Sequence, residues 1–359
     1  MGIVKLSFYK DKKIFVTGHT GFKGTWLCKM LINAGAEVTG YALKPPTNPS
    51  LFELSSIENE MESIIHNIRD IKHLEQAFSK AQPEIVIHLA AQPLVLESYA
   101  LPHQTYETNI MGTVNLLECI RKNNSVQSVL VVTTDKVYEN NEWIWGYREN
   151  DTLGGHDPYS SSKSCSELIT NSYNRSYFID RNIAISTVRA GNVIGGGDFA
   201  KNRIVPDCIR AAEKNTTIIV RNPNSKRHYQ HVIEALYAYL MIIQKQYNNL
   251  EVSSSYNVAP DDSNCISTIT LVCLFCEKWK EATEIKLNWS NSTSETASHE
   301  STYLILDNSK FKHVFNWQSK WSVDTSIKKT IEWTIAYLAN ENISSVMDKQ
   351  ILDFINDKK

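Results

Sequence analysis

Apolar residues in the first half of the chain fall into short, nearly unbroken runs, with longer stretches of helical spacing between them. Residues 13–17 (KIFVT), 37–41, 64–68, 85–89 and 129–132 are apolar for the most part rather than alternating, and each has strand length. Trp26, Leu27, Met30 and Leu31 recur at helical spacing after the first run, and the patterns of 71–81, 105–122 and 160–173 predict further helices. Strands buried on both faces and joined through helices are the signature of a parallel sheet covered on each side. The pattern loosens after Arg189, and Gly195, Gly196 and Gly197 open a loop. Residues 192–224, and those from 261 onward, are expected to form a second, smaller unit over the carboxyl ends of the strands, where such sheets bind ligands. No internal repeat is evident.

The length of 359 residues exceeds what one hydrophobic core usually serves, which agrees with two units. We place the first at 1–190, with 228–260 expected to return to it, and the second mainly at 191–359. The 37 basic and 39 acidic residues nearly balance, which argues against nucleic acid or an anionic membrane as the main partner. Residues 1–13 lack the apolar run of a signal peptide, and no later stretch approaches a membrane span. The seven cysteines are scattered and odd in number, which fits a reduced, cytoplasmic chain. Cys273 and Cys276 form a C-x-x-C within an apolar helical run. With no second Cys/His pair nearby they read as buried structural thiols, and no metal is expected.

The chemistry begins at the first strand. Gly18, Gly21 and Gly24 follow it and open a helix. Glycine lets the backbone turn tightly and approach a pyrophosphate, while the helix amino terminus offers free N–H groups and positive dipole. The spacing is G-x-x-G-x-x-G; a glycine triplet alone is weak evidence, and its strand–turn–helix context is what points to a dinucleotide site. No carboxylate stands at Tyr41-Ala42-Leu43-Lys44 to accept from the ribose hydroxyls. Lys44 would suit a 2′-phosphate or simply be solvated, so the turn leaves NAD and NADP both open.

Tyr159 and Lys163 are four apart at the start of a predicted helix, so both side chains share one face. A lysine ammonium near a phenol is expected to lower its pKa, letting tyrosine take a hydroxyl proton while hydride leaves the adjacent carbon. Thr133-Thr134-Asp135-Lys136 lies at the carboxyl end of the 129–132 strand, where a site would be. Asp135 and Lys136 could be a solvated surface pair of little consequence. As a functional pair they supply an acid, if burial keeps Asp135 protonated, and a base, if desolvation and nearby positive charge hold Lys136 down.

The stretches TGHTGFKG (17–24), LAAQ (89–92), Tyr159-x-x-x-Lys163 and RAGN (189–192), together with GYALKPPTNPSLFE and TTDKVYENNEWIWGYRENDTLGGHDPYSSSK, resemble the extended short-chain dehydrogenase/reductase family. Within it they are most similar to the nucleotide-sugar 4,6-dehydratases that act on CDP-glucose. The likeness runs from about Phe8 to Trp321. It implies an α/β, Rossmann-type doubly wound parallel sheet with a smaller C-terminal substrate domain. It also implies NAD as cofactor and a dimeric or tetrameric homo-oligomer. The implied reaction oxidises carbon 4 of the sugar, eliminates water across carbons 5 and 6, and returns hydride to carbon 6. Carried over by position, Tyr159 is the base for the 4-hydroxyl, and Lys163 holds the ribose and tunes it. Thr134 bonds near that hydroxyl, Asp135 is the acid for the departing 6-hydroxyl, and Lys136 is the base at carbon 5. Gly18, Thr20, Gly21, Phe22, Gly24, Asn67, Ile68, Leu89, Ala90, Ala91 and Thr108 would hold the cofactor with Tyr159 and Lys163. Gln92, Asn192, Arg203 and Arg227 would hold the substrate.

Three positions depart from the family pattern. Asn67 stands where aspartate is usual, though its amide oxygen can still accept a hydrogen bond. Lys44 replaces an aspartate, and His228-Tyr229 replaces Pro-Trp. Two other readings compete. A 4-epimerase needs the tyrosine and lysine but no acid for carbon 6, so Asp135-Lys136 argues against it. A non-catalytic nucleotide sensor would be expected to lose the tyrosine or the lysine, and both are present.

Overall fold

The apolar runs become a seven-stranded sheet in which every pairing is parallel. The computed structural model describes residues 4–292 and 303–357, so the extreme ends of the two expected units, and 293–302 within the second, lie outside the described residues. Along the first unit run β1 (Lys13–Thr17), α1 (Phe22–Asn33), β2 (Glu37–Ala42), β3 (Glu62–Ile65), α2 (Ile71–Ala81), β4 (Ile85–His88), α3 (Gly112–Lys122), β5 (Ser128–Val132), α4 (Pro158–Tyr173) and β6 (Ala184–Ala190). The chain then makes β7 (Asn192–Ile194), α5 (Ile204–Glu213), β8 (Ile218–Val220) and β9 (Lys226–His231). It returns through α6 (Val232–Asn248) to the seventh sheet strand, β10 (Ser255–Val258). The sheet order is β10-β6-β5-β4-β1-β2-β3, so the winding reverses between β1 and β4.

The strands are apolar on both sides because both sides are covered. Ile14 and Val16 of β1 pack with Trp26 and Leu27 of α1, with α6, and with Met347 and Phe354 of α9 (Ile343–Asn356). Phe15 faces the other way, against Leu74 and Phe78 of α2 and Leu116, Leu117 and Ile120 of α3. Burial of some 1.5–3 kcal/mol per large apolar side chain on each face makes this layer the main source of stability.

Beyond the strand ends lies a smaller assembly. β9 pairs with β7 and β13 (Tyr303–Leu304) in parallel and with β11 (Cys265–Ser267) antiparallel, while β8 pairs with β12 (Trp289–Asn291). Helices α5, α7 (Thr268–Thr283) and α8 (Val323–Leu338) share a separate apolar cluster around Phe275, Trp279, Ile327 and Ile331.

Three local expectations change. The strand expected over 64–68 ends at Ile65, because Asn67 Oδ1 accepts from the Arg69 amide at 3.0 Å and turns the chain. The helix expected over 105–122 is helical throughout but contains a π turn at Glu107–Met111. The C-x-x-C is not buried: Cys273 is exposed and Cys276 half-buried. Helix α7 turns Leu271, Val272, Phe275 and Trp279 inward, which leaves Cys273 on its outer side.

Candidate active site

The glycine turn sits at the reversal of the sheet, where the ends of β1 and β4 part. Gly18 adopts φ +80°, and a Cβ there would lie 2.7 Å from Ala90 N. A Cβ on Gly24 would lie 2.1 Å from Gly18 O, so that glycine is required for the helix to meet the strand. Gly21 differs, since its nearest neighbour would be 3.5 Å away. Its lack of a side chain keeps open the mouth of the turn, and no side chain caps the first turn of α1. An open glycine before an uncapped helix terminus fits a pyrophosphate.

Neighbouring groups fix this turn. Thr17 Oγ1 accepts from the amides of Leu89 and Ala90, both at 3.2 Å, and pairs with His88 Nδ1 at 2.7 Å. His88 Nε2 lies 3.0 Å from Thr113 Oγ1. Burial, aided by the Lys163 charge, pushes the His88 pKa down to about 3, so the ring bridges two hydroxyls as a neutral group. Thr20 donates to Leu43 O at 2.9 Å. Asn67 Oδ1 is engaged by both the amide and Nε of Arg69, Asn115 donates to Ile68 O, and Lys44 is exposed beyond β2.

Helix α4 starts where its sequence dictates. Asp157 accepts from the Ser160 amide at 3.0 Å and Pro158 takes the first helical position. Tyr159 and Lys163 therefore stand one turn apart on the first two turns, and both are buried. Burial raises the Tyr159 pKa to about 12, opposed by the neighbouring Thr134 hydroxyl. The sequence had suggested a lysine-lowered phenol. Instead, desolvation is the largest influence here, and Lys163 Nζ donates to Val132 O at 3.1 Å. Burial also lowers Lys163 to about 8, with Glu167 opposing the fall.

Opposite this helix, Thr134 Oγ1 caps a short turn at Asp135–Val137 and donates to Asp135 Oδ1 at 2.9 Å. Lys136 Nζ lies 3.2 Å from that same oxygen. Asp135 is buried, while Lys136 keeps 28% of its side chain exposed. The pair is therefore half inside the site rather than a surface pair.

A buried layer supports these groups. Glu167, one turn beyond Lys163, accepts from Thr133 (2.5 Å), Thr187 (2.6 Å) and Arg189 (2.9 Å). Arg189 also donates to the Tyr138 hydroxyl at 2.8 Å. No sequence motif marked Glu167 as part of the site; only its spacing of four from Lys163 hinted at it.

Tyr159, Thr134, Asp135, Lys136, Asn192, Arg203 and Arg227 line one cavity of about 1180 Å³, roomy enough for a large ligand. Gln92 does not line it. Its amide exchanges bonds with Leu94 N and O, and its backbone is held by Asn109. Thr108 is half-buried in the π turn beside Asn109. Sequence reasoning did not single out several other charged residues that line the cavity, Asp198 and Lys23 among them. Asp198 is buried and paired with Arg203 at 3.0 Å, and Lys23 comes from the glycine turn itself.

A dinucleotide turn, a Tyr-x-x-x-Lys helix and an acid–base pair across one cavity define an extended short-chain dehydrogenase/reductase. The chain belongs to the GDP-mannose 4,6 dehydratase family, whose model matches residues 15–330. It is 41% identical over 360 residues to the CDP-glucose 4,6-dehydratase of Salmonella typhimurium, covering 99% of each chain. Among solved structures it is similar to the dTDP-glucose 4,6-dehydratase of Bacillus anthracis in complex with NAD (TM-score 0.73, 20% identity, 93% of this chain and 99% of that one). It is similar also to the UDP-glucose 4-epimerase of Thermotoga maritima with UDP-glucose (TM-score 0.76, 22% identity, 90% and 99%).

Proposed function

We propose that the protein is an NAD-dependent CDP-glucose 4,6-dehydratase that converts CDP-glucose to CDP-4-keto-6-deoxyglucose and water. The observation that carries this reading is the convergence of Tyr159 with Asp135 and Lys136 on one cavity, in a chain 41% identical to a dehydratase of that name.

NAD, held at the glycine turn, would supply a hydride acceptor for carbon 4 and a hydride donor for carbon 6. The chain's residues manage the protons. Tyr159 accepts the proton of the 4-hydroxyl, with Thr134 as its hydrogen-bonding neighbour. The resulting ketone acidifies carbon 5, from which Lys136 takes a proton. Asp135, buried and in contact with both Thr134 and Lys136, gives a proton to the departing 6-hydroxyl, which leaves as water. Lys136 gives its proton back to carbon 5 as hydride reaches carbon 6, so no net oxidation results. Gly18, Thr20, Gly21, Phe22, Gly24, Asn67, Ile68, Leu89, Ala90, Ala91 and Thr108 hold the cofactor with Tyr159 and Lys163. Asn192 and Arg227 contact the diphosphate, and Arg203 holds the substrate from the adjoining loop.

The same reading divides the chain into a cofactor unit, 1–190 with 228–260, and a substrate unit from the remainder of 191–359. The pairing of β10 with β6 supports the return of 228–260. It also makes the protein a homo-oligomer. The exposed Leu96, Tyr99, Tyr106, Met111, Leu168, Tyr177 and Ile179, on or next to the helices expected to pair, support this. No helix among the described residues is long and apolar enough to cross a membrane. The scattered free thiols support a cytoplasmic setting.

The test is a panel of CDP-, dTDP-, GDP- and UDP-glucose, each with NAD and with NADP, read for the alkali-induced absorbance of a 4-keto product. Product from CDP-glucose with NAD is expected. Turnover to CDP-galactose without that absorbance would establish an epimerase instead.

A further inference from the structure

Lys23 is the one residue of the turn from Gly18 to Gly24 whose side chain lines the catalytic cavity. Several features of its position disfavour a cation. It occupies the second position of α1, at the positive end of the helix dipole, and no acidic residue lies in that first turn. It is half-buried in the cavity wall, and the positive charges of Arg203 and Lys163 act on it. Two carboxylates face it as well, Asp135 and Asp198. Both are already engaged, Asp135 with Thr134 and Lys136, Asp198 with Arg203 and the Ala200 amide. Among the described residues the Lys23 ammonium forms no ion pair or hydrogen bond of its own. Burial and these cations bring its pKa down to about 8, so it still carries a charge at neutral pH. A cation kept at such cost, aimed into a working cavity and left without a partner, serves a ligand rather than the fold.

We propose that Lys23 sets the hydride affinity of the bound nicotinamide cofactor. This rests on the NAD reading above. Tyr159 and Lys163 mark the end of the cofactor at which hydride moves, and Lys23 shares the cavity with the first and interacts electrostatically with the second. The oxidised nicotinamide ring is a cation and the reduced ring is neutral. A fixed positive charge on that side disfavours the oxidised form, so hydride is drawn from carbon 4 and held while water is eliminated. A cycle that stores hydride between two steps needs a cofactor that keeps it.

Binding constants for NAD and NADH, measured by nucleotide fluorescence and competition at pH 7, test this without turnover. The unmodified protein is expected to bind NADH more tightly than NAD. Lys23→Met and Lys23→Gln should each lose about tenfold of that preference, the order expected for one charge in partly screened interior. Lys23→Arg should retain it. An unchanged ratio in either neutral variant, with a native circular dichroism spectrum, overturns the proposal, as does equal binding of the two forms by the unmodified protein. Should the neutral variants not fold, the ratio from pH 7 to 9 decides. It should fall more steeply in the unmodified protein than in Lys23→Arg, because Lys23 discharges in that range. Lys163, Asp135, Asp198 and Arg203 are common to both proteins and cancel, so equal slopes overturn the idea. Failure to bind either nucleotide would remove the cofactor assignment itself, which is a separate outcome.

Discussion

The ammonium of Lys163 donates to the main-chain carbonyl of Val132 at 3.1 Å, which ties helix α4 to the end of strand β5. Tyr159, one turn earlier, is buried with its pKa near 12. At neutral pH the phenol therefore starts protonated, and in the proposed cycle it must lose that proton before it can take one from the 4-hydroxyl.

Tyr159→Phe should lower kcat by about 10²–10⁴-fold, the usual contribution of a positioned proton acceptor. Activity of the unmodified enzyme should rise with pH as the phenol becomes easier to ionise. Lys163→Met removes a cation that favours phenolate, so its rise should begin at higher pH. Superimposable profiles of kcat against pH would speak against a shared role.

In the proposed cycle Lys136 and Asp135 act after oxidation. Lys136→Ala should permit slow oxidation at carbon 4 but block elimination, so NADH absorbance should accumulate in a single turnover. Asp135→Asn, which cannot give up a proton, should behave in the same way. Undiminished product with no trapped NADH would refute the assignment.

Gly21 and Gly24 should separate binding from folding. Gly24→Ala places a methyl group 2.1 Å from Gly18 O, so it should lower both thermal stability and cofactor affinity. Gly21→Ala meets nothing closer than 3.5 Å and should melt close to the unmodified protein, yet bind NAD at least tenfold more weakly. Calorimetric titration beside a melting curve distinguishes the two.

The Glu167–Arg189 pair is buried on both sides. Glu167→Gln leaves the guanidinium without its counter-charge, and chemical denaturation should record a loss of about 3–5 kcal/mol. A loss under 1 kcal/mol would mean that the hydroxyls of Thr133, Thr187 and Tyr138 carry this layer instead.

Glu234 offers a pH test of stability. Burial raises its pKa from 4.5 to about 7, while Oε1 accepts from the Lys320 amide and Ser319 and Oε2 has no partner. Between those values the folded protein binds more protons than the unfolded one, so stability from this group falls as pH rises and is lowest above 7. The span corresponds to about 3 kcal/mol. Glu234→Gln should flatten the change in unfolding free energy between pH 5 and pH 8.

The large sheet was legible because its strands bury both faces, which writes them as apolar runs such as KIFVT. The smaller sheet was not. Strand β9 reads KRHYQH, a polar string, yet five of its six residues are buried: Arg227 and Tyr229 line the cavity, and His231 packs against Trp26 and Trp321. Tyr159, Lys163, Asp135 and Lys136 were visible through spacing and through their place at strand and helix ends. Lys23 was hidden inside a motif read for its glycines. A lysine in the first turn of a helix without an accompanying acid was the available signal. Gln92 shows the opposite error, since its position in the chain suggested a ligand while its amide is committed to Leu94.

Helix α9 packs against α1, and Asn33 donates to Asp348 at 2.7 Å across 315 positions of sequence. Helix α1 carries the glycine turn on its first residues. As the chain leaves the ribosome from its amino end, the outer side of that helix stays bare until more than three hundred further residues have been made. Most of the substrate unit is thus synthesised before the contact between α1 and α9 can form.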